Sequence, residues 1–378
     1  MKRCEHPDPV LIADIPFIGN TKLSAVKTMG KMSATVQNLF QLAMKNKYRA
    51  TFIIFVKFIS FISIILYLRI TDEDAAQHYN LPVEVKCPGT VPYTLPPSSP
   101  LPGHGIYFVE TSDQTNPNFL FMCSVESAAR AHPKTKVTIF MKGLTKPTLP
   151  KNLGISLLRC FPNVEIRPLN LKDLFANTPL ASWHASSQFR WEPYLLPILS
   201  DACRLVIMWK FGGIYLDTDV IVLKNLKNLT NSLGIQSNYL LNGAFLSFEQ
   251  GHKFIEVCMQ DFVDNYNAWI WGHQGPQLLT RVFKKWCSIK RLRDSKGCNG
   301  VSTLPREAFY PIRWQDWMKY FEAITPTDFN KLFQNTYAAH VWNKKSQGTR
   351  LKTGSKTILD QLQSNYCPST YEIIKMHL

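Results

Sequence analysis

The run from Ala50 to Leu68, ATFIIFVKFISFISIILYL, constrains this chain more than any other feature. It is apolar on every face of a helix, and about 20 such residues cross a bilayer. Lys57 is its one charge, near enough to the N-terminal end to snorkel back to that interface. Lys45, Lys47 and Arg49 precede the run, and Asp72, Glu73 and Asp74 follow it. Basic flanks stay in the cytoplasm, so the remainder of the chain is expected in a lumen. A cleaved signal peptide fits less well, because the preceding region is long and no small-residue cleavage site follows Leu68. The expected organisation is a cytoplasmic tail over 1–49, a transmembrane signal anchor over 50–68, a stem over 69–104 and a lumenal domain over 105–378. Met29, Met32 and Met44 offer internal starts within the tail. The stem carries Pro82, Pro88, Pro92, Pro96, Pro97, Pro100 and Pro102, a composition suited to an extended spacer and not to a core.

The formal net charge of +16 admits nucleic acid, an anionic membrane surface or an anionic substrate as partner. No helix-turn-helix, zinc-finger or RNA-binding signature is visible, so nucleic acid is not expected. None of the nine cysteines forms a C-x-x-C pair, which argues against thioredoxin-like and zinc-ribbon sites. An oxidising lumen permits disulfides. Cys287 and Cys298, which flank a polar, basic loop, are the candidate pair, whereas Cys203 reads as a buried thiol on an apolar helix. Asn228-Leu229-Thr230 is a glycosylation acceptor if this part of the chain is lumenal.

From Gly105 onward, strand-like and helix-like patterns alternate. Ile106 to Glu110 and Val137 to Met141 read as buried strands, with a helix from Phe119 to Ala131 between them. Asn163 to Leu169 suggests a third strand. The alternation predicts an α/β sandwich around a mainly parallel sheet.

The chemistry concentrates in RWEPYLLPILSDACRLVIMWKFGGIYLDTDVIVLKN, Arg190 to Asn225. A helix is expected from Tyr194 to Lys210, stopped by Gly212 and Gly213. A strand then runs from Ile214 to Leu216 into Asp217-Thr218-Asp219. In extended chain, residues two apart point the same way, so Asp217 and Asp219 are expected to face one pocket. Two carboxylates at a strand end suit Mn²⁺ or Mg²⁺. Asp201 and Arg204, three apart, share one helix face. Arg204 offers a planar donor fork and Asp201 an acceptor for sugar hydroxyls. A lone D-x-D is weak, but S-D-x-x-R followed by G-G-I-Y-L-D-T-D is far more specific.

With these stretches, together with NPNFLFMCSVESAAR and YNAWIWGHQGPQLLTRVFKKWCSI, the chain resembles the family 32 glycosyltransferases from about Asn118 to Leu378. The resemblance implies a GT-A-like, Rossmann-type nucleotide-sugar-binding domain, and a retaining hexosyltransferase in the Golgi membrane with single-pass type II topology. It implies UDP-galactose as donor, Mn²⁺ (or Mg²⁺) as cofactor, and lactosylceramide as the acceptor of an α1,4-linked galactose, giving globotriaosylceramide. Association with itself or with other Golgi transferases is left open. The family's metal-binding D-x-D maps onto Asp217 and Asp219, the candidate catalytic pair, and its donor-contact helix onto Asp201 and Arg204. Asp219 is expected to ligate the metal directly, and Asp217 through water or by touching ribose or sugar. Tyr215 joins the donor contacts.

His340 reads either as a third metal ligand or as a structural histidine. Trp342 stacks on the nucleotide or packs in the core. Asn242 touches the donor sugar or caps a turn. Gly275, between Gln274 and Pro276, suits close backbone approach to a sugar. The clustered tryptophans, among them Trp269, Trp271, Trp314 and Trp342, divide between core and acceptor site. Two other readings stand beside the galactosyltransferase. One is an α1,4-N-acetylglucosaminyltransferase acting on mucin-type glycans. The other is a non-catalytic lumenal sugar-binding protein on the same fold.

Overall fold

In the computed structural model the strand predicted at Ile106 to Glu110 is β1 (Ile106–Glu110), an inner strand of the large sheet. The structure describes residues 53–64, 85, 104–146, 148–187, 192–292, 296–346, 349 and 352–377. The chain divides into two units, Met1–Ala76 and Gln77–Leu378. In the first, residues 53–64 form a helix with exposed side chains. No helix among the described residues is long and apolar enough to cross a membrane. The tail over 1–49, the ends of the expected span and nearly all of the stem lie outside the described residues.

In the second unit, β1 pairs in parallel with β2 (Val137–Met141), and β2 with β3 (Val164–Pro168). On its other side β1 pairs in parallel with β4 (Gly213–Leu216). Next come β7 (Leu240–Phe248), antiparallel to β4, and β6 (Ser232–Ser237), antiparallel to β7. β9 (Val301–Leu304), parallel to β6, and β8 (Gly297–Cys298) complete an eight-stranded sheet of order β3-β2-β1-β4-β7-β6-β9-β8. Parallel pairs outnumber antiparallel ones, as expected, but β7 runs against β4 beside the site.

Alternation along the strands builds two cores. Ile106, Phe108, Ile214 and Leu216 bury into one, against the helix Phe119–Ala131. Tyr107, Val109 and Tyr215 bury into the other, against the helix Leu195–Phe211. Both helices fall where the sequence placed them, within a residue. Asn118 caps the first by accepting from Phe121 N at 2.9 Å. The second ends at Gly212, followed by Gly213, with φ of 65° and 87°. Gly213 must be glycine, since a Cβ there would lie 2.3 Å from the Gly105 carbonyl across the β1–β4 ladder.

A two-stranded antiparallel ribbon completes the scaffold. β5 (Val220–Val222) pairs with β10 (Ala338–His340) in the register His340↔Val220. The disulfide expected between Cys287 and Cys298 is present. A second, Cys123–Cys367, ties the Phe119–Ala131 helix to the chain's C-terminal helices. Cys160 is disulfide-bonded as well. Cys203 is a free buried thiol, as is Cys258.

Candidate active site

The site forms where β4 leaves the large sheet and β5 enters the ribbon. Asp217, Thr218 and Asp219 are the link between them, and they do not continue the strand. The chain turns, closed by Val220 N donating to the Asp217 carbonyl at 3.2 Å. Extended alternation therefore does not bring the two carboxylates together; the turn does. Thr218 is held from behind, its carbonyl accepting from Ser124 Oγ at 3.0 Å.

β-ribbon register supplies the third member. Because His340 pairs with Val220, it lies beside Asp219, and Val341 N donates to the Asp219 carbonyl at 2.9 Å. One ligand atom each from Asp217, Asp219 and His340 falls within 4.8 Å of the others. His340 Nε2 is 3.1 Å from Asp219 Oδ1, and Asn343 N donates to Asp219 Oδ2 at 2.8 Å. The buried Nδ1 of His340 makes no hydrogen bond among the described residues. Carboxylate and imidazole donors with a buried unpartnered ring nitrogen fit a small divalent cation.

Asp217 looks the other way, to the Leu195–Phe211 helix. Its Oδ1 accepts from Tyr215 OH at 2.8 Å and pairs with Arg204 Nη2 at 3.2 Å. The same Nη2 donates to Ser200 Oγ at 3.1 Å and lies 3.4 Å from Asp201 Oδ1. The guanidinium sits over the Tyr215 ring, 5.0 Å from its centroid. Gly243 leaves it room, since a Cβ there would approach Nη1 to 3.0 Å. Asp201, Arg204, Asp217, Asp219, Tyr215 and His340 are thus one connected constellation.

Burial and charge move these groups apart. Burial pushes the Asp201 carboxyl up to about 6 against the pull of Arg204. Burial also raises Asp217, again opposed by Arg204. Burial acts upward on Asp219 too, but His340 and the Asn343 amide overcome it and hold that carboxylate below its usual range. Burial would lower His340, yet Asp219 raises it.

Other expected residues have different neighbours. A Cβ on Gly275 would lie 2.5 Å from both Asp201 carboxylate oxygens, so the close approach there is to Asp201. Asn242 holds the irregular β6–β7 pairing: its Nδ2 donates to Gln236 Oε1 at 2.7 Å and its Oδ1 accepts from Ala244 N at 2.8 Å. Trp342 is buried, donates Nε1–H to the Ile312 carbonyl at 2.9 Å and packs 4.2 Å from the His340 ring. Its partners make it a wall of the histidine pocket. Gln274 is buried and bonds Phe262 O at 2.8 Å and His273 Nδ1 at 2.7 Å, which fixes the loop that presents Gly275. Sequence reasoning missed Tyr310, whose ring meets His340 edge-on at 5.7 Å, and Tyr320, whose OH donates to the His340 carbonyl at 2.9 Å. No motif marks either tyrosine. The backbone role of Asn343 leaves no signature in residue type.

Residues 118–240 match the glycosyltransferase sugar-binding region containing the DXD motif, and residues 247–374 match the alpha 1,4-glycosyltransferase conserved region. The lactosylceramide 4-alpha-galactosyltransferase of Homo sapiens is 60% identical over 354 residues, covering 93% of this chain and all of that protein. The chain belongs to the lactosylceramide 4-alpha-galactosyltransferase family. The alpha-1,4-N-acetylglucosaminyltransferase of Homo sapiens is a more distant relative of this transferase, 42% identical over 280 residues, 72% of this chain and 81% of that one. Among solved structures, the galactosyltransferase LgtC in complex with donor and acceptor sugar analogs aligns with 70% of the transferase and 96% of its own length, at 14% identity and a TM-score of 0.35.

Proposed function

We propose that this transferase moves galactose from UDP-galactose, with retention, into α1,4 linkage on the terminal galactose of lactosylceramide. The observation that carries the proposal is the convergence of Asp217, Asp219 and His340 beside the Arg204–Asp201 pair. Asp217, Asp219 and His340 would hold Mn²⁺, which when bound neutralises charge on a departing diphosphate. Asp219 is the better direct ligand, because its Oδ1 lies 3.1 Å from His340 Nε2, whereas Asp217 Oδ1 is taken by Tyr215 OH and Arg204. Arg204 remains a fixed cation that orients Asp217 through Nη2. Asp201, packed against Gly275, offers its oxygens to sugar hydroxyls. The domain is read as GT-A-like, with strand ends and a helix bearing Arg204 framing the nucleotide-sugar pocket.

We further read the chain as a Golgi type II membrane protein with its catalytic domain lumenal. The 50–68 run and its charged flanks support this, as do the Cys123–Cys367 and Cys287–Cys298 disulfides. Asn228 is exposed in a turn after β5, a suitable place for a glycan.

Product mass analysis tests the reaction. UDP-galactose, lactosylceramide and Mn²⁺ are expected to give one added hexose, and chelation is expected to abolish it. Transfer from UDP-N-acetylglucosamine in place of UDP-galactose would overturn the donor assignment.

A further inference from the structure

Lys344 is an exposed cation that follows Asn343, whose N–H holds Asp219 at 2.8 Å. It has no carboxylate partner among the described residues. Its ammonium group lies 3.0 Å from the centroid of the Trp271 ring and 5.9 Å from that of Tyr194. Tyr194 meets Trp271 edge-on at 5.3 Å, so the two rings wall a corner that Lys344 fills. Trp271 is still 46% exposed.

The loop that carries Trp271 is tied down. Gln277 Nε2 donates to the Trp271 carbonyl at 3.3 Å, Gln277 N to the Gly272 carbonyl at 3.0 Å, and Arg281 Nη1 to the His273 carbonyl at 2.9 Å. The loop ends at Gly275, which abuts Asp201. Of the two partners, the lysine on its flexible four-carbon stem is the one free to move.

Charge balance says where it would go. Asp201, Asp217 and Asp219 face one guanidinium, that of Arg204, and a divalent cation would offset the charge that remains. A nucleoside diphosphate brings negative charge of its own. Arg204 is not available to it: Nη2 serves Ser200, Asp201 and Asp217, and the guanidinium lies over Tyr215. Lys345 lies over Trp314 instead, 5.9 Å from its centroid.

We propose that Lys344 is a two-position cation: it rests on Trp271 before the donor binds, then swings onto the donor's diphosphate and uncovers the Trp271 ring for the acceptor sugar. The proposal rests on the nucleotide-sugar donor and galactoside acceptor read above. A charge-assisted hydrogen bond to phosphate is stronger than a cation–π contact at a half-exposed ring, so the donor draws the lysine away. One ring face holds an ammonium group or the apolar face of a sugar, not both. Donor binding therefore favours acceptor binding.

Calorimetry on the full chain in detergent supplies the test, with Mn²⁺, UDP and a water-soluble lactoside as probes. In wild type, UDP is expected to tighten lactoside binding about threefold, and by reciprocity lactoside tightens UDP by the same factor. Lys344→Ala is expected to weaken UDP binding about tenfold and to bind lactoside with an affinity that UDP no longer changes. Lys344→Arg keeps a cation and is expected to recover most of the UDP affinity. Trp271→Ala is expected to weaken lactoside binding in the presence of UDP while binding UDP at least as tightly as wild type. Unchanged UDP affinity in Lys344→Ala, or lactoside binding that ignores UDP in wild type, overturns the proposal and leaves the donor reading standing. UDP binding without any lactoside binding refutes the galactoside acceptor, and the uncovering step with it. A wild-type chain that binds no UDP in Mn²⁺ overturns the donor reading as well.

Discussion

Gly275→Ala isolates the close approach of the Gly275 loop to Asp201. A Cβ at this position would lie 2.5 Å from each Asp201 oxygen, whereas ordinary van der Waals contact begins at 3.4 Å. The carboxylate must retreat by about 0.9 Å, the difference between these two distances. It has little freedom to do so, being buried and facing Arg204 Nη2 at 3.4 Å, and that same nitrogen holds Asp217 at 3.2 Å. Overpacking of this kind costs about 1–3 kcal/mol of stability. A misplacement near 1 Å in a positioning group lowers turnover by about 10²-fold. The assay is kcat/KM for UDP-galactose together with thermal unfolding, in the wild-type and Asp201→Ala backgrounds. In Asp201→Ala the obstructing oxygens are gone, so adding Gly275→Ala is expected to change stability by no more than about 0.5 kcal/mol. Additive losses across the cycle, or full activity in Gly275→Ala, would refute the assignment of Asp201 as the residue that requires glycine here.

Three further outcomes are expected. Asp219→Asn keeps an acceptor for the Asn343 amide but removes the charge, so kcat/KM should fall about 10³-fold with only a small drop in melting temperature; normal activity at unchanged Mn²⁺ would remove the residue from the metal site. His132 is held neutral by burial, and its Nε2 accepts from Leu226 N at 2.8 Å, a bond that protonation destroys. Its folded pKa lies below the ordinary 6.5, so the unfolded chain binds more protons in that window, and stability falls as pH drops from 6.5 through the folded value. Chemical denaturation against pH should show this slope in wild type and a flatter one in His132→Gln. Replacing Cys123 and Cys367 by serine should cost about 2–5 kcal/mol, with earlier proteolysis of the C-terminal helices; an unchanged melting temperature would mean that Glu126, which accepts from the Ser369 and Thr370 amides, suffices to anchor them.

What could be read from the sequence was what neighbours in sequence decide. The Phe119–Ala131 helix announces itself by its local residue pattern, and the Leu195–Phe211 helix by the glycine pair that ends it. Cys287 and Cys298 pair across eleven positions, a separation that composition makes visible. Cys123 and Cys367 are 244 positions apart and share no local signal. Leu240–Phe248 reads as an apolar run, but nothing within it says that it lies antiparallel between β4 and β6. His340 enters the site through a strand pairing, so its spacing from Asp219 in sequence carries no information about contact. Gly275 was legible as a point of close approach, though the approaching group is a carboxylate on another helix.

The D-x-D works here because it straddles two sheets. Asp217 directly follows β4 of the large sheet, on the face where Tyr215 and the Leu195–Phe211 helix lie, and so inherits Arg204. Asp219 begins the ribbon and inherits what β10 delivers, His340 and the Asn343 amide. Identical side chains two positions apart therefore receive opposite treatment: Asp217 is driven up by burial, while Asp219 is held down by a partnered histidine. The turn therefore leaves Asp219 beside His340 while its neighbour is oriented by a fixed cation. A straight strand could not achieve it, because both aspartates would then face the same helix and compete for Arg204. The turn at Thr218, braced by Ser124, is accordingly as necessary to the motif as the carboxylates.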